Sequence, residues 1–122
     1  MQLPESEFAI MNYIWSAKPP VTTAMVMEAV GNERAWKPQT CLTLVARLIE
    51  RGFLEAKKGK GREKTFSPLI TRQEYLQMET STFIKQVHGK SLSSLLACLT
   101  GMQLSDKDKS ELRQWFDQMT EE

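Results

Sequence analysis

The chain has 122 residues, of which 41% are hydrophobic and 25% are charged, and its formal net charge is +1. This length suits one domain, or a small domain with a helical extension, and the composition is that of a folded globular protein. The N-terminus lacks the basic segment and apolar run of a signal peptide, and no run approaches the roughly 18 apolar residues of a membrane span. We therefore expect a cytoplasmic protein with no membrane partner.

The first half of the chain predicts three short helices. The first covers residues 4–16, where apolar side chains recur at helical spacing: Phe8, Met11, Ile14 and Trp15. Thr22 is a good N-cap for a second helix over about residues 23–30. Pro38 suits the first position of a third helix, because its missing N–H has no partner there, and Gly52 ends that helix.

The third predicted helix has two different faces. One is an apolar stripe at i, i+3, i+4 and i+7: Cys41, Leu44, Val45 and Leu48. The other carries polar side chains: Gln39, Thr40, Thr43, Arg47 and Glu50. The stripe is expected to pack on the core, which leaves the polar face for solvent or a ligand.

A β-hairpin is predicted next. Residues 53–58 and 63–67 are short runs with strand-forming side chains, and they flank a turn that contains glycine. Pro68 ends the second run. Basic side chains crowd the hairpin: Lys57, Lys58, Lys60, Arg62 and Lys64.

The rest of the chain is predicted to be helical. Thr71 and Glu74 form a capping box for a long helix that reaches about residue 87, and Ser105 with Asp108 forms another. Between them, a short helix carries four leucines: Leu92, Leu95, Leu96 and Leu99. The last helix repeats apolar side chains at i, i+3, i+4 and i+7: Leu112, Trp115, Phe116 and Met119.

Charge is unevenly distributed along these elements. Residues 34–64 hold nine basic and three acidic side chains, whereas residues 104–122 hold three basic and six acidic ones. A basic centre suggests a surface for a polyanion, and the acidic end suggests a different task.

The predicted fold class is mainly α with a small β-hairpin: a winged helix-turn-helix over residues 1–70, then a helical dimerisation domain over residues 71–122.

A winged helix predicts a double-stranded DNA partner, because a helix fits the major groove of B-DNA. The expected DNA-binding residues lie at the front of the third helix and in the hairpin: Lys37, Gln39, Thr40, Thr43, Arg47, Lys60 and Arg62. Lys37 opposes the helix dipole at an N-cap, and a nearby phosphate would remove that conflict. The plainer alternatives are a solvated Lys37, a hairpin kept soluble by its lysines, and an Arg47 that pairs with a carboxylate instead of a phosphate.

Catalytic and metal chemistry are not expected. The chain has a single histidine, no paired nucleophile and base, and no phosphate-binding loop, so we expect no enzyme activity, no cofactor and no metal site. Cys41 and Cys98 are interpreted as small buried hydrophobic residues, with a redox sensor as the alternative. Glu5 and Glu7 are interpreted as exposed helix residues. Trp36 is expected to anchor the entry to the third helix by apolar packing, with base stacking as the alternative.

The sequence resembles the BlaI/MecI penicillinase-repressor family over nearly its whole length. The segments that carry the resemblance are Leu3-Pro4-Glu5-Ser6-Glu7, Met11 to Trp15, Val21-Thr22-Thr23, Trp36-Lys37-Pro38-Gln39-Thr40, Thr43-Leu44, Arg47 to Gly52, Lys60-Gly61-Arg62, Phe66-Ser67-Pro68-Leu69, Tyr75, Gly89-Lys90-Ser91-Leu92, Leu104-Ser105 and Glu111-Leu112. The resemblance implies a sequence-specific repressor that acts as a homodimer on a palindromic operator, typically one that controls β-lactam resistance genes.

The resemblance also implies how the homodimer forms and how it is released. The C-terminal helices would form the interface through Leu92, Leu95, Leu96, Leu99, Leu112, Trp115, Phe116 and Met119, unless they fold back on their own winged helix. A membrane sensor protease would cleave the short leucine-rich helix at Ala97-Cys98, where the family pattern is Asn-Phe. This departure puts cleavage by such a protease in doubt. Copper-sensing relatives carry paired CxC motifs, which this chain lacks.

The sequence is therefore compatible with two function classes. The first is a dimeric, operator-specific repressor, which predicts tight binding with a steep salt dependence. The second is a winged-helix protein-interaction module without a specific operator, which predicts weak binding that is indifferent to sequence.

Overall fold

The structure is a computed structural model that describes residues 2–59, 61, 63–89 and 91–120, excluding the side chains of residues 119 and 120. The chain divides into two compact units, Met1–Glu79 and Thr80–Glu122. The boundary falls inside a helix, α4 (Arg72–Val87), several residues after the boundary expected from the sequence.

The helices of the first unit follow the predicted order. Helix α1 is Glu5–Ser16, α2 is Thr23–Val26 and continues as a π-helical segment, Met27–Gly31, and α3 is Pro38–Glu50. Thr22 caps α2 as predicted, since its Oγ1 accepts a hydrogen bond from Met25 N at 3.2 Å. Pro38 is the first residue of α3.

The predicted hairpin is present, and it belongs to a slightly larger sheet. Strands β2 (Leu54–Lys58) and β3 (Lys64–Pro68) pair antiparallel. A two-residue strand, β1 (Val21–Thr22), adds to the other edge of β3, so the described strands form an antiparallel sheet in the order β1-β3-β2. The sequence analysis did not predict β1. This strand matters for position, because it fixes the start of α2 beside β3.

The core of the first unit lies between the three helices and the sheet. Its buried apolar residues come from every element: Leu3, Ile10, Met11, Ile14, Val21, Val26, Cys41, Leu44, Val45, Leu48, Phe53, Leu54, Phe66 and Tyr75. The predicted apolar stripe of α3 is therefore buried, and the helix presents its polar face outward.

The second unit contains the end of α4 and two further helices, α5 (Leu92–Thr100) and α6 (Asp106–Thr120). The predicted cap of α6 is formed, since Ser105 Oγ accepts from Asp108 N at 3.1 Å. Ser91 caps α5 in the same way through Ser94 N. The capping box of α4, which lies in the first unit, is also formed: Thr71 Oγ1 accepts from Glu74 N, and Glu74 Oε1 accepts from Thr71 N. Within the described residues, no helix has both the length and the apolar composition needed to cross a membrane.

Two predictions about single residues were wrong. Glu7 is 1% exposed instead of lying on an open helix face, because it shares the inner side of α1 with Ile10, Met11 and Ile14 and pairs there with Arg51. Cys98 is exposed instead of buried, because no residue of α5 is buried in the single chain. Cys41 is buried as predicted.

Candidate nucleic-acid interface

The outer face of α3 is open and polar. Gln39, Thr40, Thr43 and Arg47 are all exposed, on the side away from the buried stripe. The Oγ1 of Thr43 donates to the carbonyl oxygen of Gln39 at 2.9 Å. The helix thus brings together four of the residues that the sequence predicted for DNA contact.

One position on this face was not singled out from the sequence. At 3.6 residues per turn, Ala46 lies one turn after Thr43 and is exposed with it. Alanine offers a methyl group that can contact the methyl group of thymine. The signal in the sequence is that Ala46 falls outside the apolar stripe and three positions after Thr43.

Lys37 occupies the N-cap of α3, with an extended backbone (φ −79°, ψ 154°) and no hydrogen bond from its side chain to the first turn. The side chain is exposed. The first turn of α3 contains no acidic residue, so the helix dipole would favour an anion at this end.

The entry to α3 is held by packing. Trp36 is half-buried against the core of the first unit, and the guanidinium of Arg34 lies 5.7 Å from its ring centroid. This supports the anchoring interpretation of Trp36. Among the ion pairs between described residues, none involves Arg47, so its guanidinium is open to a phosphate.

The hairpin places lysines opposite one another. In the register of β2 and β3, Lys58 faces Lys64 and Lys57 faces Thr65. Like charges directly opposite each other destabilise a sheet, so this arrangement favours an anionic partner over the free state. Lys57 Nζ lies 3.4 Å from Glu55 Oε1 in an exposed pair, which offsets part of that charge. The two predicted hairpin contacts, Lys60 and Arg62, lie outside the described residues.

A cleft joins the helices to the hairpin inside the first unit. It has a volume of about 360 Å³ and is lined by Thr23, Ala24, Leu42, Glu63, Lys64 and Phe66. Leu42 is 45% exposed there, although leucine normally belongs in a core. Leu42 gives this cleft an apolar side, and Lys64 and Glu63 give it one cation and one carboxylate. The sequence could not place these residues together, because they come from three separate elements.

The second unit exposes a large amount of apolar surface. Its exposed large side chains are Phe83, Val87, Leu92, Leu96, Met102, Leu112, Trp115 and Phe116. Trp115 is 66% exposed and Phe116 is 67% exposed, while Leu95 and Leu99 are half-buried. A groove of about 300 Å³ runs between the end of α5 and α6 beside Leu99, Leu112 and Trp115. The groove brings together three of the predicted interface residues, Leu99, Leu112 and Trp115, and the side chain of Met119 lies outside the described residues.

The candidate cleavage pair is at the surface of α5. Ala97 and Cys98 are both exposed, and the carbonyl oxygen of Ala97 accepts a hydrogen bond from Thr100 Oγ1 at 2.7 Å. The peptide bond between them is helical, so a protease would have to unwind this part of α5 before cutting it.

Candidate metal ligands and thiols are the remaining reactive side chains, and the thiol of Cys98 is exposed. No group of three or more His, Cys, Asp or Glu side chains among these residues is placed to hold a metal ion. Burial raises the pKa of the Cys41 thiol, which disfavours the reactive thiolate.

Comparison with known proteins gives one family. The penicillinase repressor family model matches residues 3–118. The penicillinase repressor of Bacillus licheniformis is 29% identical over 114 residues, covering 93% of this chain and 88% of that protein. The methicillin resistance regulatory protein MecI of Mammaliicoccus sciuri is 27% identical over 113 residues, covering 92% of this chain and 90% of that protein.

Solved structures agree with the fold of the first unit. The DNA-binding domain of the repressor BlaI is 30% identical, with a TM-score of 0.53, and covers 61% of this chain and 88% of its own. Monomeric Bacillus licheniformis BlaI, solved in complex with the blaP half-operator, is 29% identical, with a TM-score of 0.52. The match covers 62% of this chain and 89% of that protein. The regulator MepR of Staphylococcus aureus matches in fold alone, at 15% identity and a TM-score of 0.53, over 98% of this chain and 79% of its own.

Proposed function

Since the chain belongs to the penicillinase repressor family, whose members are DNA-binding transcriptional repressors, we propose that it acts as a homodimer on a palindromic operator. The observation that carries the proposal is the open polar face of α3, next to a hairpin with facing lysines. A relative that is 29% identical has been solved in complex with a half-operator, which supports a DNA partner for this chain.

The chemistry of the α3 face suits base readout. A Gln side chain can bond bidentately to adenine, and the methyl groups of Thr43 and Ala46 can contact the methyl group of thymine. Lys37, Arg47 and the hairpin cations would neutralise phosphates, which positions the helix without reading sequence. The division of labour is therefore Gln39, Thr40, Thr43 and Ala46 for bases, and the basic residues for the backbone.

A second copy of the chain is the partner that best fits the second unit. Helices α5 and α6 expose several large apolar side chains, and a two-fold symmetric interface would bury the same surface on both copies. A symmetric dimer reads a symmetric site, so the operator is proposed to be a palindrome with one half-site for each α3.

Regulation is proposed by analogy with the relatives. Their names connect them to penicillinase and methicillin resistance, so β-lactam resistance genes are the proposed targets. A sensor protease that cleaves within α5 is the proposed route of release, and the pair Ala97-Cys98 requires a protease with a side-chain preference other than Asn-Phe.

The proposal is tested by fluorescence anisotropy with DNA taken from upstream of the chain's own gene and with a scrambled duplex, over about 50 to 200 mM salt. We expect binding to the upstream DNA to be at least a hundredfold tighter than to the scramble, with a steep salt slope. Equal and weak binding to both duplexes would contradict the proposal and favour the protein-interaction module.

A further inference from the structure

Helix α1 holds α3 at both of its ends through acidic side chains of its first turn. At the far end, Glu7 Oε1 accepts a hydrogen bond from Arg51 Nη1 at 2.6 Å, and Arg51 is the C-cap of α3. At the near end, Glu5 accepts two hydrogen bonds from Arg34, at 2.6 and 2.8 Å, in the turn that leads to α3. Residues two positions apart on one helix thus pair with arginines on either side of another, one in the preceding turn and one at its C-cap.

The Glu7–Arg51 pair is costly for folding alone. Glu7 is 1% exposed and lies on the apolar side of α1, and its Oε2 has no hydrogen-bond partner in the described part of the chain. Taking a carboxylate out of water is unfavourable, and well-packed apolar residues often replace a buried ion pair without loss of stability. Stability is therefore a poor reason for this pair, and its geometry is a better one.

The geometry restricts how α3 can shift. Apolar contacts between two helices tolerate sliding, because they have no direction, whereas a charged hydrogen bond of 2.6 Å does not. The pair before α3 is more exposed, at 36% for the Arg34 side chain and 74% for that of Glu5, and the same guanidinium stacks over Trp36, just before the N-cap of α3. Base readout needs side chains placed to within about 0.5 Å.

We propose that Glu7 and Arg51 are positioning residues that set the placement of α3, and hence the ability to distinguish one DNA sequence from another. The inference rests on the proposed function, since it assigns the pair a role in base readout. It separates two properties of DNA binding. Placement of α3 governs discrimination, whereas the general attraction to phosphates depends on surface cations and is unaffected.

Two variants separate positioning from stability. E7Q keeps the shape of the side chain and removes the charge, and E7M/R51M replaces the pair by apolar side chains that can pack without it. Glu28→Gln is the matched control, because it removes the same charge from an exposed position of the first unit. Thermal unfolding followed by circular dichroism measures stability, and anisotropy with upstream and scrambled duplexes measures discrimination.

Positioning predicts that E7Q and E7M/R51M each lose about tenfold or more in the ratio of upstream to scrambled affinity, about the value of one base contact. Binding to the scramble stays within about twofold, and the salt slope is unchanged, which excludes direct phosphate contact by Arg51. E7M/R51M is expected to have a Tm close to that of the wild type. E28Q is expected to match the wild type in both Tm and affinity ratio. A purely electrostatic role predicts the opposite for E7Q, namely tighter binding to both duplexes.

An unchanged ratio in folded E7M/R51M would overturn the inference and leave the proposed function standing. A wild-type chain that does not distinguish the two duplexes would instead remove the proposed function, and the inference would fall with it. The wild-type measurement therefore tells the two failures apart.

Discussion

The phenol oxygen of Tyr75 accepts a hydrogen bond from the backbone N–H of Leu3 at 3.0 Å, although the two residues are 72 positions apart. Both are buried, and the Tyr75 ring lies 5.6–5.7 Å, centroid to centroid, from three other rings: Phe8, Trp15 and Phe53. The bond therefore ties the start of the chain to the first turns of α4 and gives a buried amide its partner.

Replacing Tyr75 by Phe should destabilise the protein without affecting DNA binding. Loss of the hydroxyl leaves the Leu3 amide buried and unsatisfied, which costs about 1–3 kcal/mol. We expect a Tm several degrees lower by calorimetry, with unchanged DNA affinity well below that temperature. Tyr13→Phe is the control, since Tyr13 is half-buried and the substitution removes the same hydroxyl group. Equal Tm values for Y75F and the wild type would contradict this account.

Tyr75 should also make the free energy of unfolding depend on pH in the alkaline range. Burial raises the pKa of Tyr75, in part offset by the hydrogen bond from Leu3. A group whose pKa is raised by folding contributes stability below its unfolded pKa, about 10, and loses it as the pH rises through the folded value. The difference in unfolding free energy between wild type and Y75F should therefore shrink above about pH 10 in urea titrations. A constant difference up to pH 11 or so would argue against burial as the cause.

Two substitutions on α3 should separate base contact from phosphate contact. Gln39→Ala should weaken binding to the operator by about 1–3 kcal/mol and leave binding to scrambled DNA unchanged. Lys37→Ala should weaken binding to both duplexes and lower the salt slope by about one. Anisotropy across a salt series measures both effects. If the two variants behaved alike, the assignment of Gln39 to bases and Lys37 to the backbone would be wrong.

Much of this face was predictable, because the signals that build it are local. Pro38 and the spacing of the apolar stripe fixed the bounds and the orientation of α3, and Thr22 and Thr71 fixed the starts of their helices by capping. Such features act within one or two turns and leave a pattern in the sequence.

The rest depends on partners that are distant in sequence. Strand β1 is two residues long, and its neighbour Phe66 lies 45 positions after Val21, so no alternating pattern marks it. Glu7 shares the i, i+3, i+4 and i+7 spacing with Ile10, Met11 and Ile14, which is the spacing of a core position. Its charge favours an exposed position unless a distant partner such as Arg51 pairs with it. For α5, periodicity predicts an apolar face without saying whether its own chain or a second copy covers it.

The apolar surface of α6 should be needed for dimer formation. Trp115→Ser should raise the Kd of the dimer by about thirtyfold or more, because truncating a central interface aromatic costs about 2 kcal/mol or more. Sedimentation equilibrium measures the change, and Gln114→Ser, at the preceding exposed position, is the control. If Trp115→Ser left the dimer intact and lowered the Tm instead, the helix would be packing on its own chain.

The two cysteines should differ in reactivity. Cys98 is exposed and Cys41 is buried with a raised pKa, so a thiol reagent at about pH 8 should modify Cys98 at once and Cys41 only after denaturation. Absorbance of the released thiolate gives both rates, at protein concentrations below the Kd of the dimer. Cys98→Ser should abolish the fast phase and Cys41→Ser should keep it. Two fast thiols in the native chain would contradict the packing of α3.

The central claim is that two copies of the chain read a two-fold symmetric site. Hydroxyl-radical footprinting of the DNA upstream of the chain's own gene tests this most directly, because it shows each protected sugar. The account predicts two blocks of protection related by a dyad and separated by about one helical turn or a whole multiple of it, about 10 base pairs each, with both blocks lost together in the Trp115→Ser variant. A single asymmetric block, or uniform protection along the duplex, would contradict it.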